Sequence, residues 1–142
     1  MVKDVQGRAI IGSVYNNQSP DLILHLSMPP SINQAYSNTK NPKNPRIKSQ
    51  KYNKWIQDAT KDLWLQKRAL VTGRIAVIYS FYVPDRRVRD CANYEKCLSD
   101  FLVQNNIIED DKNIRSNTQE WLDNEPTNSG VIAKIFKLFE NS

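Results

Sequence analysis

Three features of the sequence predict an α+β (α/β-like) fold, a mixed β-sheet packed with two main helices. Period-two stretches sit beside stretches whose apolar residues recur at helical spacing, in the order strand, helix, strand, helix, strand, strand. The run from Arg74 to Val83 is dense in β-branched and aromatic residues and is stopped by Pro84. Proline, asparagine and glycine fall between these stretches, where turns belong.

Residues 1–20 show weak patterning and close on Asn16-Asn17-Gln18-Ser19-Pro20, so they are expected to form a loosely ordered N-terminal extension. Residues 21–140 are then a single domain, within the size one hydrophobic core supports. Leu22, Leu24, Leu26 and Met28 alternate with Ile23, His25 and Ser27 to give a first strand, which Pro29-Pro30 ends. His25 is read as an ordinary edge or packed histidine. Residues 31–48, polar and carrying Pro42 and Pro45, are predicted to be a mobile loop.

Ser49 is placed to cap a helix in which Tyr52, Trp55, Ile56, Ala59 and Leu63 share a face. Gly73 precedes the long strand. A second helix from about Ala92 gathers Tyr94, Cys97, Leu98, Phe101 and Leu102 on one side and Asn93, Lys96 and Asp100 on the other. Asn105-Asn106 can end it, because asparagine tolerates the left-handed conformation of a C-cap. A strand through Trp121 and a last one from Val131 to Phe139 complete the order, with a turn over Asp123 to Gly130 between them.

Of 142 residues, 39% are hydrophobic and 25% charged, and no apolar run approaches the ~18 residues of a membrane helix. A secretory signal is not expected either, which points to a cytoplasmic protein. Cys91 and Cys97, with the distant His25, lack the spacing of a zinc site and read as two reduced thiols. The net charge of +5 suggests a polyanionic partner, and its distribution says more than its total. No acidic residue occurs between Asp21 and Asp58, while Lys40, Lys43, Arg46, Lys48, Lys51 and Lys54 all fall there. A second group, Arg86, Arg87 and Arg89, lies between Asp85 and Asp90. Basic segments beside carboxylates suit DNA better than a merely solvated face.

Hydrolysis of a phosphodiester with Mg²⁺ needs converging oxygen ligands, because hard divalent ions prefer carboxylate and water. Asp90 stands where a strand gives way to a helix, and Asp110 and Asp111 stand just past that helix's end. Taken alone, an aspartate before a helix is an ordinary cap and Asp-Asp an ordinary turn. The whole run from Pro84 to Lys96, followed by Asp100, Leu102 and Asp110-Asp111, resembles the signature of the RusA family. That pattern has proline, aspartate, arginines, Asp-x-Asp-Asn-x-x-Lys, an aspartate four residues on, and a later Asp-Asp pair. Pro29-Pro30-Ser31 with Asn33 resembles the stretch after the family's first strand. Element order agrees over residues 22–138.

The resemblance implies a bacterial or phage-encoded homodimeric endonuclease, dependent on Mg²⁺ or Mn²⁺, that resolves four-way (Holliday) DNA junctions. It implies metal-binding catalytic aspartates at Asp90 and Asp111, with Asp110 their neighbour, and a catalytic-site lysine at Lys96. Asn93 and Asp100 complete the motif. Arg86, Arg87, Arg89, Lys40, Lys43, Arg46 and Lys48 are the expected DNA contacts. Two positions depart: Asn105-Asn106 stands where the family tends to place glycine, which the C-cap accommodates, and Ala92 occupies the place of the second aspartate in Asp-x-Asp-Asn, where a methyl group cannot ligate a metal. The catalytic and metal set is therefore short by one carboxylate at Ala92, and cleavage is expected to be weak or absent. With the rest of the motif intact, engineering accounts for the alanine better than natural decay. A non-catalytic protein that binds branched DNA through a degenerate nuclease fold is the alternative. A basic protein-interaction or ribosome-associated domain would make the spacing of Asp90, Lys96 and Asp111 a coincidence.

Overall fold

A computed structural model of the chain describes residues 18–84, 91–123 and 128–138, and the backbone of residues 2–3 and 9–10. Its elements run β1 (Val2–Lys3), β2 (Ala9–Ile10), β3 (Leu22–Leu26), α1 (Ile32–Ala35), β4 (Tyr36–Asn38), β5 (Arg46–Lys48), α2 (Gln50–Trp64), β6 (Ile75–Tyr82), α3 (Ala92–Gln104), a 3₁₀ turn (Asp111–Asn113), β7 (Ile114–Trp121) and β8 (Gly130–Lys137). The predicted α+β class is what is seen, with α2 and α3 as the two main helices. Within the N-terminal stretch, β1 and β2 pair antiparallel.

The main sheet has the order β3-β8-β6-β7. β3 and β6 pair antiparallel with β8, while β6 and β7 are parallel, so the sheet is mixed. A parallel pair needs a crossover, and α3 supplies it. The period-two reading of β3 holds: Leu22, Leu24 and Leu26 are buried, and Ile23 and His25 are exposed on the opposite face. β6 is buried from Ile75 to Phe81, as expected of a strand with a neighbour on each side. One sheet face meets the helices in a continuous core of Leu24, Val77, Tyr79, Phe81, Val131 and Ile135 against Trp55, Ala59, Leu63, Leu98, Phe101 and Leu102.

Helix ends follow the chemistry of their sequences. The Ser49 Oγ accepts from the Tyr52 N–H at 3.1 Å, the cap expected for α2. At the end of α3, Asn106 adopts φ 58°. The Ile107 N–H donates to the Leu102 carbonyl at 2.9 Å and the Asn106 N–H to that of Val103 at 3.2 Å, a Schellman closure. Ile107 and Ile108, both buried, then carry the chain to Asp110.

Residues 31–48 correct the sequence reading, because they do not form a loop throughout. Ile32–Ala35 makes one helical turn, and β4 and β5 form an antiparallel ribbon, Tyr36 opposite Lys48 and Asn38 opposite Arg46. The ribbon owes little to apolar burial, which is why hydrophobic periodicity misses it. Its root is held by rings, with the centroids of Tyr36 and Tyr52 5.6 Å apart in an edge-on arrangement. Its tip is held by polar side chains: the Thr39 Oγ donates to the Asn44 carbonyl, and the Asn41 Oδ1 accepts from the Lys43 N–H at 3.0 Å.

β3 borders the sheet, and side chains of α2 and the loop after it satisfy part of its outer backbone. The Gln66 amide accepts from the His25 N–H at 2.7 Å and donates to the His25 carbonyl at 2.6 Å. The Asp62 carboxylate accepts from the Ser27 N–H at 2.7 Å, and the Trp55 indole donates to the Ser27 carbonyl at 2.8 Å.

Candidate active site

The site is organised around α3, whose Cys97, Leu98, Phe101 and Leu102 are buried in the core. Cys91 occupies its N-cap position with no side-chain cap. Ala92 opens the helix and is exposed. Lys96, four residues on, lies on the same side of the helix one turn later. Its ammonium donates to the Asp100 carboxylate at 3.1 Å. That hydrogen bond and the Asp100 charge raise the Lys96 pKa above its ordinary value, and the charges of Asp111 and Glu95 add to the rise against the opposing effect of burial. Lys96 is therefore a fixed cation facing carboxylates from α3 and from the turn after it. It suits contact with phosphate or developing negative charge, and not proton abstraction.

Asp110 and Asp111 follow from the Schellman closure. The Asp110 carboxylate caps the 3₁₀ turn by accepting from the Lys112 N–H at 3.0 Å. That bond, with the Asp111 side chain adding, holds the Asp110 carboxyl below the usual carboxylate range. Asp111 begins the turn and is exposed. The pair thus differs in placement, with Asp110 tied to the backbone of the turn and Asp111 exposed beside it. The connection is anchored to the neighbouring loop, where the Val71 N–H donates to the Ile107 carbonyl at 2.8 Å. The Gly73 N–H donates to the Glu109 carboxylate at 2.6 Å, at a φ of 76° that suits glycine.

Sequence reasoning missed Glu95. Its carboxylate accepts from the Ser99 Oγ at 2.6 Å and from the Asn117 side chain of β7 at 2.7 Å. Ser99 also shares a hydrogen bond of 2.9 Å with the hydroxyl of Tyr79, on the central strand. This chain of polar contacts stitches α3 to β6 and β7 directly behind Lys96. The Glu95-Ser99 spacing of four was its only trace in the sequence. Cys91 and Cys97 are not joined in a disulfide. Burial pushes the Cys97 thiol up to about 11, so it is inert at neutral pH.

The basic segment connects to α3 through Tyr52. Lys40, Lys43, Arg46 and Lys48 are all exposed. The Lys48 ammonium lies 5.4 Å from the centre of the Tyr52 ring, and burial, ahead of the neighbouring charges, raises the pKa of the Tyr52 hydroxyl. That hydroxyl also hydrogen-bonds the Cys97 thiol and feels the Asp100 charge, so one ring separates the ribbon's root from the Lys96-Asp100 pair.

Asp90 and the arginines Arg86, Arg87 and Arg89 lie outside the described residues. Among the described residues, no group of three His, Cys, Asp or Glu side chains could hold a metal ion. The donors that are described suit Mg²⁺ in chemistry, since they are carboxylate oxygens, but not in number. A family model described as Endodeoxyribonuclease RusA matches residues 27–132, more than half of the chain. The chain belongs to the RusA endodeoxyribonuclease family.

RusA proteins are endonucleases that act on Holliday junctions, and the matched span contains every element from α1 to β7 and the start of β8. No curated relative matches the chain. Of the residues singled out in the sequence, the fold brings Lys96, Asp100 and Asp111 together and sets Ala92 one turn away on the same helix. Asn93 is half-buried beside it. Among the described residues, no helix is long and apolar enough to cross a membrane.

Proposed function

We infer that this RusA chain is built to resolve four-way DNA junctions with Mg²⁺ or Mn²⁺, and that Ala92 weakens or abolishes its cleavage. One observation carries the reading: Lys96 is held among carboxylates while the helix position one turn before it, exposed and facing the same way, offers only a methyl group. Asp90 and Asp111 are the residues that would hold the ion. When bound, the ion supplies an activated water and charge neutralisation at the departing oxygen. The chain's own part is positional. Lys96 draws the scissile phosphate to the turn at Asp111, Asp110 fixes that turn, and Arg86, Arg87 and Arg89 neutralise adjacent phosphates. A homodimer would match the two symmetry-related strands of a junction.

The test is junction cleavage by this chain beside Ala92→Asp, with either metal. The substitution is expected to switch on nicking with little change in junction affinity, and adding Asp111→Asn is expected to remove it again. An Ala92→Asp protein that binds junctions yet stays inert with both metals would leave the second reading, a branched-DNA-binding protein without catalysis. The exposed alanine and the strongly basic ribbon favour that reading.

A further inference from the structure

We propose that the β4–β5 ribbon is a preformed arm that grips the phosphate backbone of branched DNA, with Lys40, Lys43 and Arg46 as its phosphate ligands. The inference rests on the junction-binding reading above and adds to it a place and a physical form.

Charge selects the partner. The arm and the helix start that follows it carry cations at Lys40, Lys43, Arg46, Lys48, Lys51 and Lys54 in a stretch with no carboxylate from residue 22 to residue 57. Among the described residues, the arm's cations have no carboxylate partner: the ring of Tyr36 lies 5.0 Å from the Arg46 guanidinium carbon, and that of Tyr52 underlies Lys48. A cation resting on a ring keeps its N–H groups for a phosphate oxygen. Lys51, by contrast, donates to Gln34 at 2.9 Å, and Lys54 is paired with Asp58 at 2.8 Å. Within residues 40–54, the cations without such partners are those of the ribbon.

Shape makes it an arm. Residues 40–48 are exposed without interruption, so the ribbon projects from the body. A two-stranded ribbon is narrow enough to enter a DNA groove. The tip is nonetheless ordered. Besides the Thr39 and Asn41 side-chain bonds, the Thr39 N–H donates to the Pro45 carbonyl at 2.8 Å and the Asn44 N–H to that of Asn41 at 3.1 Å. Pro42 and Pro45 remove further freedom. An arm already in its binding shape loses less conformational entropy on engaging DNA.

The experiment measures four-way-junction affinity against salt for the full chain and three variants. Lys40→Ala/Lys43→Ala/Arg46→Ala is expected to weaken binding at least about tenfold and to flatten the log–log salt slope by about 2–3, at roughly 0.9 per lost phosphate contact. Lys61→Ala/Lys67→Ala/Arg68→Ala removes the same charge from the far end of α2 and is expected to change both much less. Asn41→Ala/Pro42→Gly keeps every charge and loosens the tip; affinity is expected to fall a few-fold at an unchanged slope. Equal weakening by the two charge triples would show that net charge alone matters and overturn the arm. So would a ribbon triple that binds within twofold of the parent at the same slope, and in that case junction recognition itself would stand. A parent chain that fails to bind junctions sinks both readings. Release of bound junction by polyglutamate as readily as by unlabelled junction would overturn the assignment to nucleic acid.

Discussion

The α3 corner and the β4–β5 ribbon lie one tyrosine apart and are built on opposite plans. In the corner, Lys96, Asp110 and Asp111 are positioned by buried neighbours: Leu98, Leu102, Ile107 and Ile108 beneath them and the Glu95-Ser99-Tyr79 contacts behind them. The ribbon has almost no buried side chains, and its shape comes from turn chemistry and two aromatic contacts. Where geometry has to be held within a fraction of an ångström, the chain spends core; where a cation has to meet a phosphate, it spends surface. The same number of substitutions should therefore cost stability in one region and affinity in the other.

The largest effect expected in the corner is that of Leu98→Ala, which empties a fully buried position and should cost about 2–5 kcal/mol by denaturant unfolding. A loss below about 1 kcal/mol would mean that the corner is not the rigid region. Glu95→Ala should follow at about 1–3 kcal/mol, since it strands the Ser99 and Asn117 donors. Glu95→Gln should recover part of that loss, because an amide oxygen still accepts.

Asn106→Ala should cost about 1 kcal/mol, as alanine is strained at φ 58°, whereas Asn106→Gly should be close to neutral. Alkaline pH sharpens the contrast further. Because the Cys97 thiol is raised to about 11 in the folded chain, its contribution is complete below its ordinary value and is lost as pH climbs through the folded one. The stability gap between the parent and Cys97→Ala should accordingly narrow from about pH 9 to 11 in urea titrations. Lys43→Ala on the ribbon should move stability by no more than about 0.5 kcal/mol at any pH.

The strands and the two long helices were legible because each carries its own burial pattern, as Leu22, Leu24 and Leu26 do in β3. Ser49 and Asn106 were legible because capping is local chemistry between residues a few positions apart. The ribbon was not legible, since its pairing depends on Asn41, Thr39 and two prolines instead of alternation. Within the candidate site, the run from Asp90 to Asp111 was read from its resemblance to a family motif; of it, Asp90 lies outside the described residues, and the charge of Asp111 reaches Lys96. Glu95 was invisible for a different reason: its partner Asn117 is brought alongside only by the parallel pairing of β6 and β7.

The Gln66 amide beside His25 has a consequence for how molecules of this protein meet one another. Its oxygen and nitrogen offer the border strand the same acceptor and donor that a further strand would, so the position is filled before any outside chain arrives. Asp62 and Trp55 do the same at Ser27. A protein that gathers on one DNA branch raises its own local concentration, and unguarded sheet borders would then be sites for runaway stacking. Gln66→Ala would reopen this one to any extended segment, and light scattering on mild heating would register it as earlier aggregation than in the parent.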